Sequence, residues 1–149
     1  MKVFIDTNIF VEYFQRRNQY NYVSKIFNAI EDNKIKGVVS VGCVYTLAYL
    51  VRMEFKKMNV LRPEQTERLR KTLNTILSLV SVANINHKHL AIGVNDPLFD
   101  DIEDSFQHQC AMQNKCDAII TINLKDFNPS ACNKIDVYSP KDFVNKFLQ

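Results

Sequence analysis

Glycine and proline are scarce in this chain, three and four residues among 149, and no low-complexity linker or internal repeat interrupts it. Nothing marks a place to divide it, so residues 1–149 are expected to form one domain. No apolar run approaches the ~20 residues needed to cross a bilayer. The N-terminus has no signal-peptide layout, because strand-type residues begin at Val3. A soluble, cytoplasmic protein with no membrane partner is the expectation. Cysteine is limited to Cys43, Cys110, Cys116 and Cys132, with no Cys-x-x-Cys pair and no zinc spacing to His87, His89 or His108. These thiols are expected to be reduced and mostly buried. His87 and His89 could offer two nitrogens from one loop, but no third ligand accompanies them, which favours a surface or helix-cap role. A Gly-rich phosphate loop, a Ser-His-Asp arrangement and a reactive-cysteine motif are all missing. The net charge of +3 neither demands nor excludes nucleic acid, because binding follows local clustering.

What is present is an alternation of short apolar strands and amphipathic helices. Strands are predicted at the N-terminus through Ile5, at Val38–Val41 after Gly37, at Leu79–Val82, at Ala118–Ile122 and at Ile135–Tyr138. Helical spacing joins Val23, Ile26, Phe27 and Ile30, and then Val44, Leu47, Ala48, Val51 and Phe55. Pro63 suits the first position of another helix, with Leu69, Leu73, Ile76 and Leu77 inward and Glu64–Arg68 and Glu67–Lys71 pairs outward. The last helix has Ser139 as N-cap, Pro140 in its first position and Asp142 closing a capping box. Strands that are apolar throughout imply a parallel sheet covered on both faces. The expected fold is an α/β class, three-layer α/β/α sandwich with a central parallel sheet.

Asp6 closes the first strand. In a parallel sheet all strand C-termini share one edge, and open α/β sheets take their ligands there. Asn123 and Asp126 follow the fourth strand and come to the same edge. Asp100-Asp101-Ile102-Glu103-Asp104 precedes a helical stretch from Phe106 to Gln113, and one turn would put Asp101 and Asp104 on a common face. Acids at a helix start are also favoured by its dipole, so Asp100, Asp101 and Glu103 can equally serve to charge and cap it. Carboxylates gathered at one edge repel each other unless a cation holds them. All-oxygen donors suit Mg²⁺ or Mn²⁺, and such ions promote attack of water on a phosphodiester.

Four pieces in order resemble the PIN domain, the nuclease fold of VapC-type toxins in bacterial toxin–antitoxin modules. They are Phe4-Ile5-Asp6-Thr7-Asn8, Ser40 at the end of the second strand, Asp101-Ile102-Glu103-Asp104, and Ile120-Thr121-Ile122-Asn123 followed by Asp126-Phe127. The resemblance runs through essentially the whole chain. It implies that Asp6 and Asp104 are metal ligands and that Asp101 is an additional acid of the metal set. It puts the site after the fourth strand on Asn123 or on Asp126, the latter reaching in from the loop as a catalytic carboxylate. Many members carry an acid where Asn123 stands. Asn8 and Thr121 resemble residues that orient the acids through hydrogen bonds. The chain departs from the pattern six positions beyond Ser40, where the usual acid is replaced by Thr46. A hydroxyl can bond a carboxylate or a metal-bound water, but it is a poor substitute for an anion. Glu54 lies about 12 Å further along the helix, too far to stand in.

The resemblance therefore implies a Mg²⁺- or Mn²⁺-dependent ribonuclease, with RNA as substrate, an antitoxin as partner, and a homodimeric state. Arg16, Arg17, Arg52, Lys56 and Lys57 are candidate phosphate contacts, though each also fits an ordinary solvated charge. Thr46 favours an alternative, a PIN-like module without catalysis that works through RNA or protein contacts. Tyr13, Phe14, Tyr20 and Tyr22 suit either a dimer interface or the core. A phosphatase of the haloacid dehalogenase type would need a second aspartate where Asn8 stands.

Overall fold

Strands whose successive side chains are all apolar must be covered on both faces. The computed structural model, which describes residues 1–149, is built that way. Five parallel strands lie in the order β3-β2-β1-β4-β5. They are β1 (Lys2–Ile5), β2 (Lys36–Ser40), β3 (Ser81–Ala83), β4 (Ala118–Ile120) and β5 (Asp136–Tyr138). Helices α1 (Thr7–Phe14) and α2 (Tyr20–Glu31) connect β1 to β2, and α3 (Val41–Lys57) and α4 (Glu64–Leu79) connect β2 to β3. The return from β3 to β4 runs through α5 (His87–Val94) and α6 (Ile102–Gln113). A single 3-10 turn, Leu124–Asp126, precedes β5, and α7 (Pro140–Phe147) follows it.

Alternation along β1 divides the interior. Val3 and Ile5 face a core shared with Ile9, Phe10, Val23, Ile26, Leu47, Ile76 and Phe143, drawn from α1, α2, α3, α4 and α7. Phe4 faces the other side, with Val38, Ile119, Phe99, Cys110, Ala111 and Phe127. The three-layer α/β/α sandwich with a parallel sheet is thus the fold. The chain reverses its direction of sheet growth between β1 and β4, which makes the C-terminal ends of those two strands the natural ligand crevice. No helix is long and apolar enough to cross a membrane.

Several local expectations shift. Helices α1 and α5 were not anticipated by periodicity. Val41 and Leu79 belong to helices rather than strands, and Ser40 is the N-cap of α3. Leu77 is exposed, leaving Ile76 as the buried residue of that turn. Glu64 pairs with Arg68 at 2.7 Å as expected, but Glu67 pairs with Arg70, one residue closer than Lys71. The α7 cap forms as read, with Ser139 Oγ accepting from the Asp142 N–H. All four cysteines are free thiols, three of them buried.

Candidate metal centre

Asp6 leaves β1 and at once becomes the N-cap of α1, its carboxylate accepting from the Thr7 N–H at 2.8 Å. Only 4 % of the residue is exposed. Its second oxygen accepts from Thr121 Oγ1 at 2.7 Å and from Asn8 Nδ2 at 3.0 Å. Asn8 is held in turn by the Ile122 N–H, so the start of α1 is tied to the exit of β4. Gln107 Nε2 donates to the first oxygen at 3.2 Å. Burial pushes the Asp6 carboxyl above its ordinary value, while these four hydrogen bonds pull the other way.

Gln107 carried no signal in the sequence reading, yet it is the joint of the site. It is 4 % exposed. Its Oε1 accepts from Ser40 Oγ at 2.6 Å, and the same Ser40 oxygen caps α3 through the Cys43 N–H. One amide therefore links the first turns of α3 and α1 to the middle of α6. Neighbouring Cys43 is inert as a nucleophile, its thiol pushed up to about 12 by burial.

Helix α6 starts four residues earlier than the stretch read from periodicity, at Ile102, with Asp101 as its N-cap. The Asp101 carboxylate accepts from the Glu103 N–H at 2.9 Å and stays exposed. Asp101 as N-cap and Asp104 three residues on stay close enough for their charges to interact. Asp104 lies inside the first turn and is buried, 8 % exposed. Burial first, then the charges of Asp6, Asp101, Asp126 and Glu103, push its carboxyl up to about 7. No lysine or arginine offsets them, and no hydrogen bond stabilises the charged form. Asp126, in the 3-10 turn, is half-buried and close enough to contribute to that repulsion.

Asn123 is exposed and takes part through its backbone N–H, which donates to Thr121 Oγ1. Thr46 lines a cleft of about 340 Å³ between the starts of α3 and α6 whose walls include Ser40, Glu103, Phe106 and Gln107. The basic candidates are elsewhere. Helix α3 runs back from the sheet edge, which carries Arg52 about 18 Å and Lys57 about 25 Å along its axis from Ser40. Lys57 pairs there with Glu54, Arg17 bonds Gln15, and Arg16 lies over the Tyr20 ring.

No three Asp, Glu, His or Cys side chains converge as a ready-made metal cage. The donor set still fits a magnesium-like ion, which is held by one or two carboxylates and keeps most of its waters. Asp6 is positioned for this by its hydrogen bonds, and Asp104 is a buried carboxylate that lacks any counter-charge.

The family model for the PIN domain matches residues 2–125. The chain belongs to the PIN domain family. PIN domains are generally nucleases, and the ordered motifs from Asp6-Thr7-Asn8 to Asp126-Phe127 lie within or at the border of the matched span. Among solved structures, this PIN domain is similar to VapBC2 from Rickettsia felis bound to a DNA fragment from its promoter. The TM-score is 0.65 at 14 % identity, over 93 % of this chain and 98 % of that one. At that identity the likeness shows a shared fold. No curated protein matches the chain.

Proposed function

We propose that this PIN domain is a cytoplasmic, Mg²⁺- or Mn²⁺-dependent endoribonuclease and the toxin of a toxin–antitoxin pair, with residues 1–149 working as one domain. The observation that carries this reading is Asp104, a buried carboxylate facing Asp6, Asp101, Glu103 and Asp126 with no cation among them. Asp6 and Asp104 would hold the ion, with Asp101 beside them. The ion supplies Lewis-acid stabilisation of charge on the scissile phosphate and eases deprotonation of water. The chain's own part is orientation: Asn8, Thr121 and Gln107 fix the Asp6 carboxylate, and Asp126 stands on the β4 side as a further acid for proton transfer. The VapBC2 relative is a toxin–antitoxin complex by its description, which supports a protein antitoxin as partner. A homodimer is part of the same proposal, and Phe14, 45 % exposed at the end of α1, is an apolar residue it could cover.

Thr46 and the absence of a three-acid cage favour a second reading, in which the domain binds RNA or protein without cutting. Single-turnover cleavage of a structured RNA in Mn²⁺ separates the two. Wild type is expected to cut, and Asp6→Asn and Asp104→Asn to fall by at least ~100-fold, the scale of losing a group that stabilises transition-state charge. Equal rates in all three proteins would exclude the nuclease reading.

A further inference from the structure

The cleft between the starts of α3 and α6 differs in kind from the acidic centre. At about 340 Å³ it stands at the lower end of the size range of small-ligand sites. Glu103, Phe106, Gln107 and Cys110, at i, i+3, i+4 and i+7, line it as one face of α6. Phe106 is its only aromatic ring. That ring is half-buried and braced by α5, where a Cβ at Gly93 would meet it at 3.0 Å. Glu103 is exposed, and its carboxylate takes part in no ion pair and accepts no hydrogen bond. The opposite wall is the first turn of α3. Ser40 Oγ caps Cys43 there, so the N–H groups of Val41 and Gly42 have no intrahelical partner. A Cβ at Gly42 would meet only Ser40 Oγ, at 3.7 Å, which leaves that backbone open to approach. An aromatic ring, a free carboxylate and free N–H donors around one cleft are the parts that read an unstacked base in single-stranded RNA.

We propose that this cleft is a guanine-binding subsite for the RNA strand whose phosphate lies at the acidic centre. This rests on the nuclease reading above. Guanine alone among the four bases presents two adjacent donors, N1–H and N2–H, beside an acceptor, O6. The Glu103 carboxylate would accept from both donors, a charge-assisted pair, while the α3 N–H groups would donate to O6. The Phe106 ring would stack on the plane of the base. Adenine and cytosine turn a ring-nitrogen lone pair towards the carboxylate and uracil turns a carbonyl, so each meets repulsion there. Gln107 lines the cleft and donates to Asp6, so base and phosphate would lie on the two sides of one amide.

The probe is a fluorescein-labelled oligouridine carrying one guanosine, its binding followed by fluorescence anisotropy in chelator, so that no metal takes part. It is expected to bind roughly 10-fold or more tighter than the same oligomer with adenosine, the scale of one bidentate base contact. An inosine oligomer, which lacks the N2 amine, is expected to fall between the two. In Glu103→Gln the preference for guanosine over adenosine should shrink to within about 3-fold, because the charged acceptor is gone. Phe106→Leu should weaken all the oligomers alike by about 5-fold or more, the loss of one stacked base. Equal affinity of wild type for the guanosine and adenosine oligomers, or an undiminished preference in Glu103→Gln, would overturn the assignment. Mn²⁺-dependent cleavage that is lost in Asp6→Asn would then leave the nuclease reading intact. A guanosine preference without any cleavage in Mn²⁺ would instead remove the nuclease reading and keep the subsite. Should Phe106→Leu fail to fold, Glu103→Gln, a change at an exposed side chain, decides alone.

Discussion

Asp104 couples the chemistry of the site to the stability of the fold. Its carboxyl, pushed up to about 7 in the folded protein, returns to about 4 when the chain unfolds. Between those values the folded state holds a proton that the unfolded state has released. The stability it contributes is therefore complete below pH ~4 and lost as pH rises through about 7. Asp6 and Glu103 are raised as well and act with the same sign. His108 acts oppositely. Both its ring nitrogens are buried without partners and its pKa is lowered, so it costs stability as pH falls below ~6.5. At pH 8 the histidine is neutral in both states and the acids stand alone. There, in chelator, Asp104→Asn is expected to melt roughly 2–4 °C above wild type, the equivalent of ~1 kcal/mol. That gain should shrink as pH falls towards 4. Millimolar Mg²⁺ should raise the wild-type melting temperature at pH 8 and leave the variant unmoved. Identical melting of the two proteins in chelator would show that Asp104 carries no such penalty.

At the scale of elements, the strands were legible and the joints between helices were not. Apolar runs such as Ala118–Ile120 announce a doubly covered strand, and Ser139-Pro140 announces a helix start. Helix α1 was hidden because its cap, Asp6, follows β1 without a break, and Ile9-Phe10-Val11 continues the same apolar run. Helix α5 was hidden by its small apolar stripe and by Gly93, where a Cβ would meet the Phe106 ring at 3.0 Å. Carboxylates after strands point to a sheet edge by topology alone. Which face of α6 meets that edge depends on packing, so Gln107 went unread. Gln107 is the clearest case, an uncharged residue whose meaning exists only in the contacts it makes. Gln107→Met, close in volume but without the amide, removes the bonds to Ser40 and Asp6 together. A loss of about 1–3 kcal/mol is expected from urea unfolding, with a sharp fall in cleavage. A variant as stable as wild type would mean that the amide joins nothing of consequence.

Across the whole molecule, the family match ends at residue 125, yet the sheet does not. Strand β5 pairs with β4, and α7 delivers Phe143 and Val144, 0 % and 2 % exposed, into the core under β1. Losing one buried phenylalanine side chain costs about 3–5 kcal/mol, a large part of the ~5–15 kcal/mol that holds a domain together. A chain ending at Lys134 is therefore expected to show no cooperative urea transition by circular dichroism. A native-like transition in that fragment would show that β5 and α7 are dispensable. The same long connections set a timetable for the site. Gln107 and Thr121, which fix Asp6, lie 101 and 115 residues away from it. Contacts of such separation close late, after the costly loops between them have formed. During synthesis, Asp6 leaves the ribosome early and waits for partners near the other end of the chain. A nascent or clipped polypeptide carries the first carboxylate but no centre, so a nuclease active within its own cell would stay harmless until its last strands are in place.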